Sequence, residues 1–456
     1  MSGHGTGPVA RWHLRTPKLS GRLGEDADLL RRHTEEGEEL LAELPPRPER
    51  DAGETAIAAT IHGGGREIRG AFLDLHAEPV FATICDGNPR PRLSDIAFEA
   101  ADRFPGLAPT RKQMVEERTR LQAHKEGREI DQGVLFRGLL RAPSAGSRLV
   151  DAMLRPTARA KDLLSVFAVK GRVELPTVVL ERSGAAAHLT VTNTRCLNAE
   201  DDQLITDMET AVDLVFLEER VHVGVVRGGL MTHPRYLGRR VFSAGINLKE
   251  LRNGDISFVD FLLGRELGYL HKILRGVVPD TDRPSLSARA VHKPWIAAVD
   301  SFAIGGGMQL LFLFDRVIAE KDAFFSLPAA REGIVPGAAN LRLGRFVGSR
   351  EARRIILAGH RLRATDPEAR LLCDEVVESE EMDTAVERAI QDLDNPAVVD
   401  NRRMIALAEE PLDHFRAYMA EFSRVQAERL YAADVLEKVA TPPGTRRRQE
   451  AKESGC

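Results

Sequence analysis

The feature that most constrains this chain is a change of texture near Val173. Thr177-Val-Val-Leu180, a turn at Ser183-Gly184 and His188-Leu-Thr-Val-Thr192 read as a β-hairpin, with Leu189 and Val191 on one face. Helical text from Asp201 to Glu219 follows, then a strand at Val221 to Val226 and a loop through Gly245. Next come a helix from about Ile256 to Arg275, a strand at Trp295 to Val299 and a glycine-led helix from Gly306 to Phe314. Strands alternating with helices build βαβ units and a largely parallel sheet, so the expected class is α/β.

Helical text flanks this core. From Gly24 to about Lys170, isolated apolar anchors such as Leu29, Leu30, Leu40 and Leu41 sit among charged residues, and Met114 to His124 repeats the pattern. Pro45-Pro46, Gly63-Gly64-Gly65, Gly87-Asn88-Pro89 and Pro105-Gly106 read as breaks. From Arg350 onward the chain reads as helix again, and Phe415, Tyr418, Met419, Phe422 and Val425 form an apolar stripe that needs a partner. The expected partition is a mobile N-terminus at 1–20, an all-helical domain at 21–172, the α/β core at 173–375, a C-terminal helical region at 376–440 and a disordered tail at 441–456.

Composition narrows the function classes. Lysine plus arginine (64) against aspartate plus glutamate (68) leaves a formal charge of −4, so no global basic field marks a nucleic-acid or membrane surface. No apolar run approaches the roughly 18 residues of a membrane helix. The first twenty residues carry no apolar signal core, so a cytoplasmic location is expected. Cys85, Cys196, Cys373 and Cys456 are scattered without CxxC or zinc spacing, and the histidines form no HExxH or HxH pair. No metal site is expected from local motifs.

Two glycine-containing segments each follow an expected strand: Val241-Phe-Ser-Ala-Gly-Ile-Asn-Leu-Lys-Glu250 and Ala298-Val-Asp-Ser-Phe-Ala-Ile-Gly-Gly-Gly-Met-Gln-Leu310. Small residues let a backbone turn its N–H groups into a cavity, and two such loops that meet make an oxyanion hole for a carbonyl oxygen gaining negative charge. The same glycines also suit close helix–strand packing or a tight turn, and spacing alone leaves both readings open. His62-Gly-Gly-Gly65 looks like an esterase oxyanion loop, but the chain has no Gly-x-Ser-x-Gly elbow, so it reads as a flexible turn.

Together with Thr194-Arg-Cys-Leu-Asn-Ala-Glu200 and Phe325-Ser-Leu-Pro-Ala-Ala-Arg-Glu-Gly-Ile-Val-Pro-Gly337, these segments closely resemble the crotonase (enoyl-coenzyme A hydratase/isomerase) superfamily, over roughly residues 175–375. The resemblance implies a spiral of ββα units that binds an acyl-coenzyme A. It implies that the backbone N–H groups of Ile246 and Gly306 hold the thioester oxygen and that the Ala244 carbonyl faces the adenine. Ala199, Gly245, Asn247, Gly305 and Gly307 are substrate contacts on the same ground. Arg235 and Tyr236, in a lengthened loop that also carries Arg239 and Arg240, with Lys249 beyond it, are the expected phosphate or adenine contacts; the alternative is a charged surface loop. Crotonase folds assemble as trimers or hexamers, so a homo-oligomer is expected.

Departures from the family pattern carry more information. A hydratase of this family places one glutamate three residues after the oxyanion glycine and another just after the Phe-x-x-Pro proline. Here those positions are Gln309 and Ala329, so hydration by paired carboxylates is disfavoured. The long helical N-terminal region, Gln309 and Ala432-Ala-Asp-Val-Leu-Glu-Lys-Val-Ala440 resemble a particular branch, the cofactor-independent dioxygenases that act on 3,5-dihydroxyphenylacetyl-coenzyme A in glycopeptide-antibiotic pathways. That resemblance implies O2 as co-substrate and no metal, flavin or haem. It implies that Glu200 and Arg265 line the aryl pocket, that Gln309 orients the thioester or a peroxide, and that Ile246, Ile334 and Val435 wall an apolar O2 niche. Read as ordinary structure, Glu200 is a helix N-terminal carboxylate, Arg265 pairs with Glu266 or Asp260 on a helix surface, and the niche residues are core. The competing functions are a thioesterase- or decarboxylase-type acyl-coenzyme A enzyme and a non-catalytic acyl-coenzyme A binder.

Overall fold

The computed structural model describes residues 7–88, 90–279 and 290–440, and its first element is the helix Pro8–Leu14. Over its described part, the mobile reading of residues 1–20 is therefore corrected. Trp12 anchors this helix: it is 1% exposed, and its indole N–H donates to the His33 carbonyl at 3.0 Å. Helices Leu23–Ala42 and Ala52–Ile84 pack together. The second begins at a reciprocal cap in which Asp51 accepts from the Glu54 N–H at 2.8 Å and Glu54 from the Asp51 N–H at 3.0 Å. Gly63-Gly64-Gly65 lies inside this helix, not in a turn. A β-carbon on Gly64 would sit 2.8 Å from the Trp12 ring, so the glycine makes room for an aromatic neighbour. The expected tail at 441–456 lies outside the described residues.

Two compact units cut across the expected linear partition. One comprises the described residues of Met1–Ala152, the insertion Leu251–Val259 and the described residues from Arg416 onward; the other comprises Met153–Glu250 and Asp260–Phe415. Helix Ala158–Lys170 thus belongs to the α/β unit, where it packs on helix Asp202–Leu217. Helix Leu412–Leu430 buries Phe415, Met419 and Phe422, whereas Val425 is 41% exposed and Ser423, Gln426 and Ala427 take its place on the inner face.

The α/β unit is built on a seven-stranded sheet in the spatial order Arg172–Glu174, Val178–Ser183, Ala186–Val191, Val223–Gly228, Trp295–Val299, Arg316–Glu320 and Glu375–Val377. The first three strands are antiparallel and the rest run parallel. Leu180 pairs with Leu189 across the hairpin, and Leu189 with Val226 in the first parallel pair. Trp295–Val299 is buried at every position, as a central parallel strand covered on both faces requires. A smaller sheet joins Phe302–Ile304, Phe324–Ser326 and Arg361–Arg363, and Ser243 bridges to Ala303 at its edge.

Three expectations are corrected here. The strand placed at Val221–Val226 runs from Val223 to Gly228. The region after Arg350 contains two short strands, which lack the length for a period-2 pattern to show. The helix expected over Ile256–Arg275 is three pieces: a π-helical turn at Phe258–Leu263, then Gly264–Leu267, then Tyr269–Arg275 after a break at Gly268.

Candidate active site

Two left-handed residues outside glycine, Leu197 (φ 61°) and Asn198 (φ 54°), shape the approach to the site. Asn198 is fully buried, and its side-chain amide donates to the Val241 carbonyl at 2.7 Å, tying this turn to the second glycine-bearing segment. Ala199 is buried, with its carbonyl accepting from the Asn193 side chain at 2.9 Å. Asp201 caps helix Asp202–Leu217 by accepting from the Leu204 N–H at 3.0 Å. Glu200 is therefore released from capping and turned inward, 4% exposed.

The two glycine segments meet. Ser243 accepts from the Ile304 N–H at 2.9 Å, and the Ala244 N–H donates to the Leu197 carbonyl at 3.1 Å. Gly245 and Gly305 pass so closely that a β-carbon on Gly305 would lie 3.4 Å from the Gly245 Cα, while one on Gly307 would lie 2.6 Å from Ser243 Cβ. Ile246 forms a parallel bridge with Glu200 in which the bonds run from Glu200 N–H to the Gly245 carbonyl (2.7 Å) and from Asn247 N–H to the Glu200 carbonyl (2.8 Å). Such a bridge uses the residues flanking Ile246 and leaves the Ile246 N–H outside the ladder. Gly306 opens helix Gly306–Leu310, where an N–H has no intrahelical acceptor. Of the two sequence readings of these glycines, close packing is observed directly, and it brings two unladdered amides into one region.

At the centre is Arg265, 4% exposed. A guanidinium has five N–H donors, and here all five are directed at protein acceptors. Nε and Nη2 donate to Glu200 Oε1 at 3.1 and 3.0 Å, Nη2 to the Gly306 carbonyl at 2.7 Å, and Nη1 to Glu266 Oε1 and Gln309 Oε1, both at 2.9 Å. Burial works against its charge, but Glu200, Tyr269 and Glu266 more than reverse that and hold the guanidinium above its ordinary value. The surface-pairing reading of Arg265 is corrected: its partners are Glu200 and Glu266 in the interior. Because an arginine only donates, the Gln309 atom facing it is the oxygen, which leaves the Gln309 –NH2 on the other side.

Glu200 Oε1 also accepts from the Tyr269 hydroxyl at 3.3 Å. Burial pushes this phenol above its ordinary range, and Glu200 adds to the shift, so Tyr269 stays a proton donor. Glu200 Oε2 lies against Gly306, where a β-carbon would sit 1.8 Å from it. Glu266 Oε2 accepts from the Ala338 N–H at 3.1 Å. Glu266, Tyr269 and Asn198 are missing from the sequence reading of the site. The break at Gly268 that sets Tyr269 beside Glu200 leaves no period in the sequence.

The remaining expected residues are placed as follows. Ala329 is buried and Ile334 half-buried, its N–H donating to the Ala329 carbonyl at 3.0 Å. Asn247 caps helix Leu248–Asn253 through Oδ1, which accepts from the Glu250 N–H at 3.3 Å. Arg235 is exposed, 5.5 Å above the Tyr236 ring, and Tyr236 packs edge-on against Phe302 at 5.5 Å. Val435 is buried in the other compact unit. Among the described residues, no three or more His, Cys, Asp or Glu side chains are grouped to hold a metal ion, and no helix is long and apolar enough to cross a membrane.

The glycine segments 241–250 and 298–310 thus meet beside the buried Glu200 carboxylate at the edge of the α/β core. The family model described as enoyl-CoA hydratase/isomerase matches residues 181–429, and the chain belongs to that family. The chain is 55% identical over 425 residues, 93% of its length and 97% of the relative's, to the (3,5-dihydroxyphenyl)acetyl-CoA 1,2-dioxygenase of Amycolatopsis orientalis. It is 29% identical over 229 residues, half of its length and 78% of the relative's, to the short-chain-enoyl-CoA hydratase of Clostridium acetobutylicum. Among solved structures, an enoyl-CoA hydratase from Mycobacterium avium subsp. paratuberculosis K-10 is similar over 60% of this chain and 97% of its own, with a TM-score of 0.48 and 22% identity.

Proposed function

We propose that this chain is a dioxygenase that converts (3,5-dihydroxyphenyl)acetyl-CoA and O2 to 3,5-dihydroxyphenylglyoxylate and free CoA, without a metal or organic cofactor. The observation that carries the reading is the position of Glu200 Oε2, free of the Arg265 clamp and against Gly306, beside the two amides. The 55% identity over 93% of the chain to a relative of that named activity supports the same substrate class.

The chemistry follows from these groups. With the thioester oxygen on the Ile246 and Gly306 amides, Glu200 takes the α-proton, and the negative charge spreads over the thioester oxygen and the electron-rich ring. Each amide donor contributes roughly 3 to 4 kcal/mol in a water-excluded site. The carbanion passes an electron to O2, and recombination at the α-carbon gives a peroxide. Attack of the peroxide on the thioester carbonyl expels the CoA thiolate, which takes up a proton; loss of the second α-hydrogen as a proton, its C–H electron pair forming the keto C=O, then breaks the O–O bond and leaves the keto acid. The substrate itself supplies the electrons that a cofactor supplies elsewhere. In this reading the Gln309 –NH2 steadies the thioester or peroxide, Ile246 and Ile334 wall the O2 niche, and the loop with Arg235 and Tyr236 holds the CoA phosphates or adenine. Hydration is disfavoured because Gln309 and Ala329 replace the two carboxylates it needs.

Assembly as a trimer or hexamer and a cytoplasmic location belong to the same reading, supported by family membership and by the unpaired thiols of Cys85, Cys196 and Cys373. The test of the first step is exchange in D2O without O2. The protein should wash deuterium into the α-position of the thioester, and a lack of exchange with bound substrate would overturn the assignment of Glu200.

A further inference from the structure

The guanidinium of Arg265 has two working edges. Its Nε and Nη2 hold Glu200 Oε1 and the Gly306 carbonyl, and so fix the two residues whose other groups, Glu200 Oε2 and the Gly306 N–H, are proposed to act in deprotonation. Its Nη1 faces the other way, to Glu266 Oε1 and Gln309 Oε1, both at 2.9 Å. Glu266 is 3% exposed and reaches further: its second oxygen accepts from the Ala338 N–H at 3.1 Å. Ala338 is the N-cap of helix Ala339–Ala358 and closes the loop that carries Ile334-Val-Pro336. That loop fits tightly against the same carboxylate. Gly337 has φ +47°, and a β-carbon there would lie 1.9 Å from Glu266 Oε1 and 2.9 Å from Gln309 Oε1. Glu266 is thus a bolt between the Nη1 edge of Arg265 and the apolar loop 334–338.

We infer that Glu266 is a positioning residue for the oxygen half of the reaction: by fixing the loop 334–338 against Gln309 it holds the apolar wall that admits O2 to the carbanion, while the deprotonation half is held by the opposite edge of Arg265. This rests on the dioxygenase reading above. The coupled reaction balances as ArCH2–CO–SCoA plus O2 giving ArCO–COOH plus HSCoA, with the α-carbon losing four electrons and O2 gaining them. Deprotonation needs no O2, so the two halves are separable in one protein.

The experiment measures both halves in wild type and in Glu266→Gln, which keeps the shape and an acceptor for Ala338 but loses the charge paired with Nη1. A second variant, Glu266→Asp, keeps the charge and is one methylene too short to span both partners. Each is given (3,5-dihydroxyphenyl)acetyl-CoA, aerobically for O2 uptake and anaerobically in D2O for α-exchange. The expected result is a loss of O2 uptake of about tenfold or more in both variants, with exchange within about threefold of wild type. Equal losses in both assays would mark Glu266 as a general structural support, and unchanged O2 uptake would leave it no role; either overturns the inference. A wild type that exchanges α-hydrogen but consumes no O2 contradicts the dioxygenase reading itself, a result distinct from either failure.

Discussion

Glu200 and Gly306 occupy adjoining space so closely that no side chain fits between them: a β-carbon on Gly306 would sit 1.8 Å from Glu200 Oε2 and 2.9 Å from Arg265 Nη2. The middle glycine of the run is required by the carboxylate over it, and not only by the turn it makes. In Gly306→Ala the amide N–H remains but Glu200 must move. The expected outcome is a fall in kcat of about 100-fold or more, on the scale of displacing a positioned general base, with the protein still folded by circular dichroism. Retention of wild-type turnover would show that Glu200 has other room.

Glu200→Gln keeps an oxygen for Arg265 Nε and Nη2 but removes the proton acceptor. Anaerobic α-exchange should drop by roughly 100- to 10,000-fold, the range of a positioned general base. Substrate binding, followed by calorimetry, should change far less, because the amides of Ile246 and Gly306 are untouched.

Gln309→Glu should not create a hydratase. Position 329 still holds a buried alanine, and the new carboxylate would face Arg265 Nη1 beside Glu266, adding a like charge 2.9 Å from a nitrogen that already has an anionic partner. Crotonyl-CoA incubated with the variant should show no hydration above background. Robust hydration would sink the account of the missing pair.

Much of this site was legible in the sequence because its parts are local. The glycine segments at 241–250 and 298–310, Glu200 and Arg265 each carry a motif or a match to one, and the hairpin Val178–Val191 is written in its alternation. What the sequence does not display is contact between distant side chains. Glu266 reads as a helix-surface partner of Arg265 until Ala338 closes on it, and nothing in the sequence singles out Tyr269, which the break at Gly268 turns onto Glu200. Gly63-Gly64-Gly65 misleads for the same reason: glycine is the signal of a turn and also of a neighbour pressed close, and only the Trp12 ring decides between them. The two compact units likewise join residues far apart in the chain, which a linear reading divides at changes of texture.

The helix that follows Arg265 ends near an ion cluster that sets an acid limit. Burial alone would raise Glu410, but Arg342, bonded through Nε and Nη2 at 2.9 Å each, brings it down to about 2. Burial pushes His271, stacked on Phe415 at 4.3 Å, down to about 3. Both folded values lie below the ordinary 4.5 and 6.5, so the unfolded chain binds protons first as pH falls. Stability should decline from pH 6.5 toward 3, through His271 in the upper part of that window and through Glu410 below 4.5. Urea unfolding at neutral pH, near pH 5.5 and near pH 4 should show the loss, and His271→Leu should flatten its upper part. Glu410→Gln should cost about 3 to 5 kcal/mol at neutral pH by removing the buried carboxylate that pairs with Arg342. An acid slope unchanged by His271→Leu would contradict the assignment.

The central claim is tested most directly by oxygen uptake from chelator-treated protein of assayed metal and flavin content, given (3,5-dihydroxyphenyl)acetyl-CoA, with free thiol followed in parallel. The expected result is O2 consumed and CoA thiol released in equal amounts, with no metal or flavin present. Thiol release without oxygen consumption would contradict it and make the protein a thioester hydrolase.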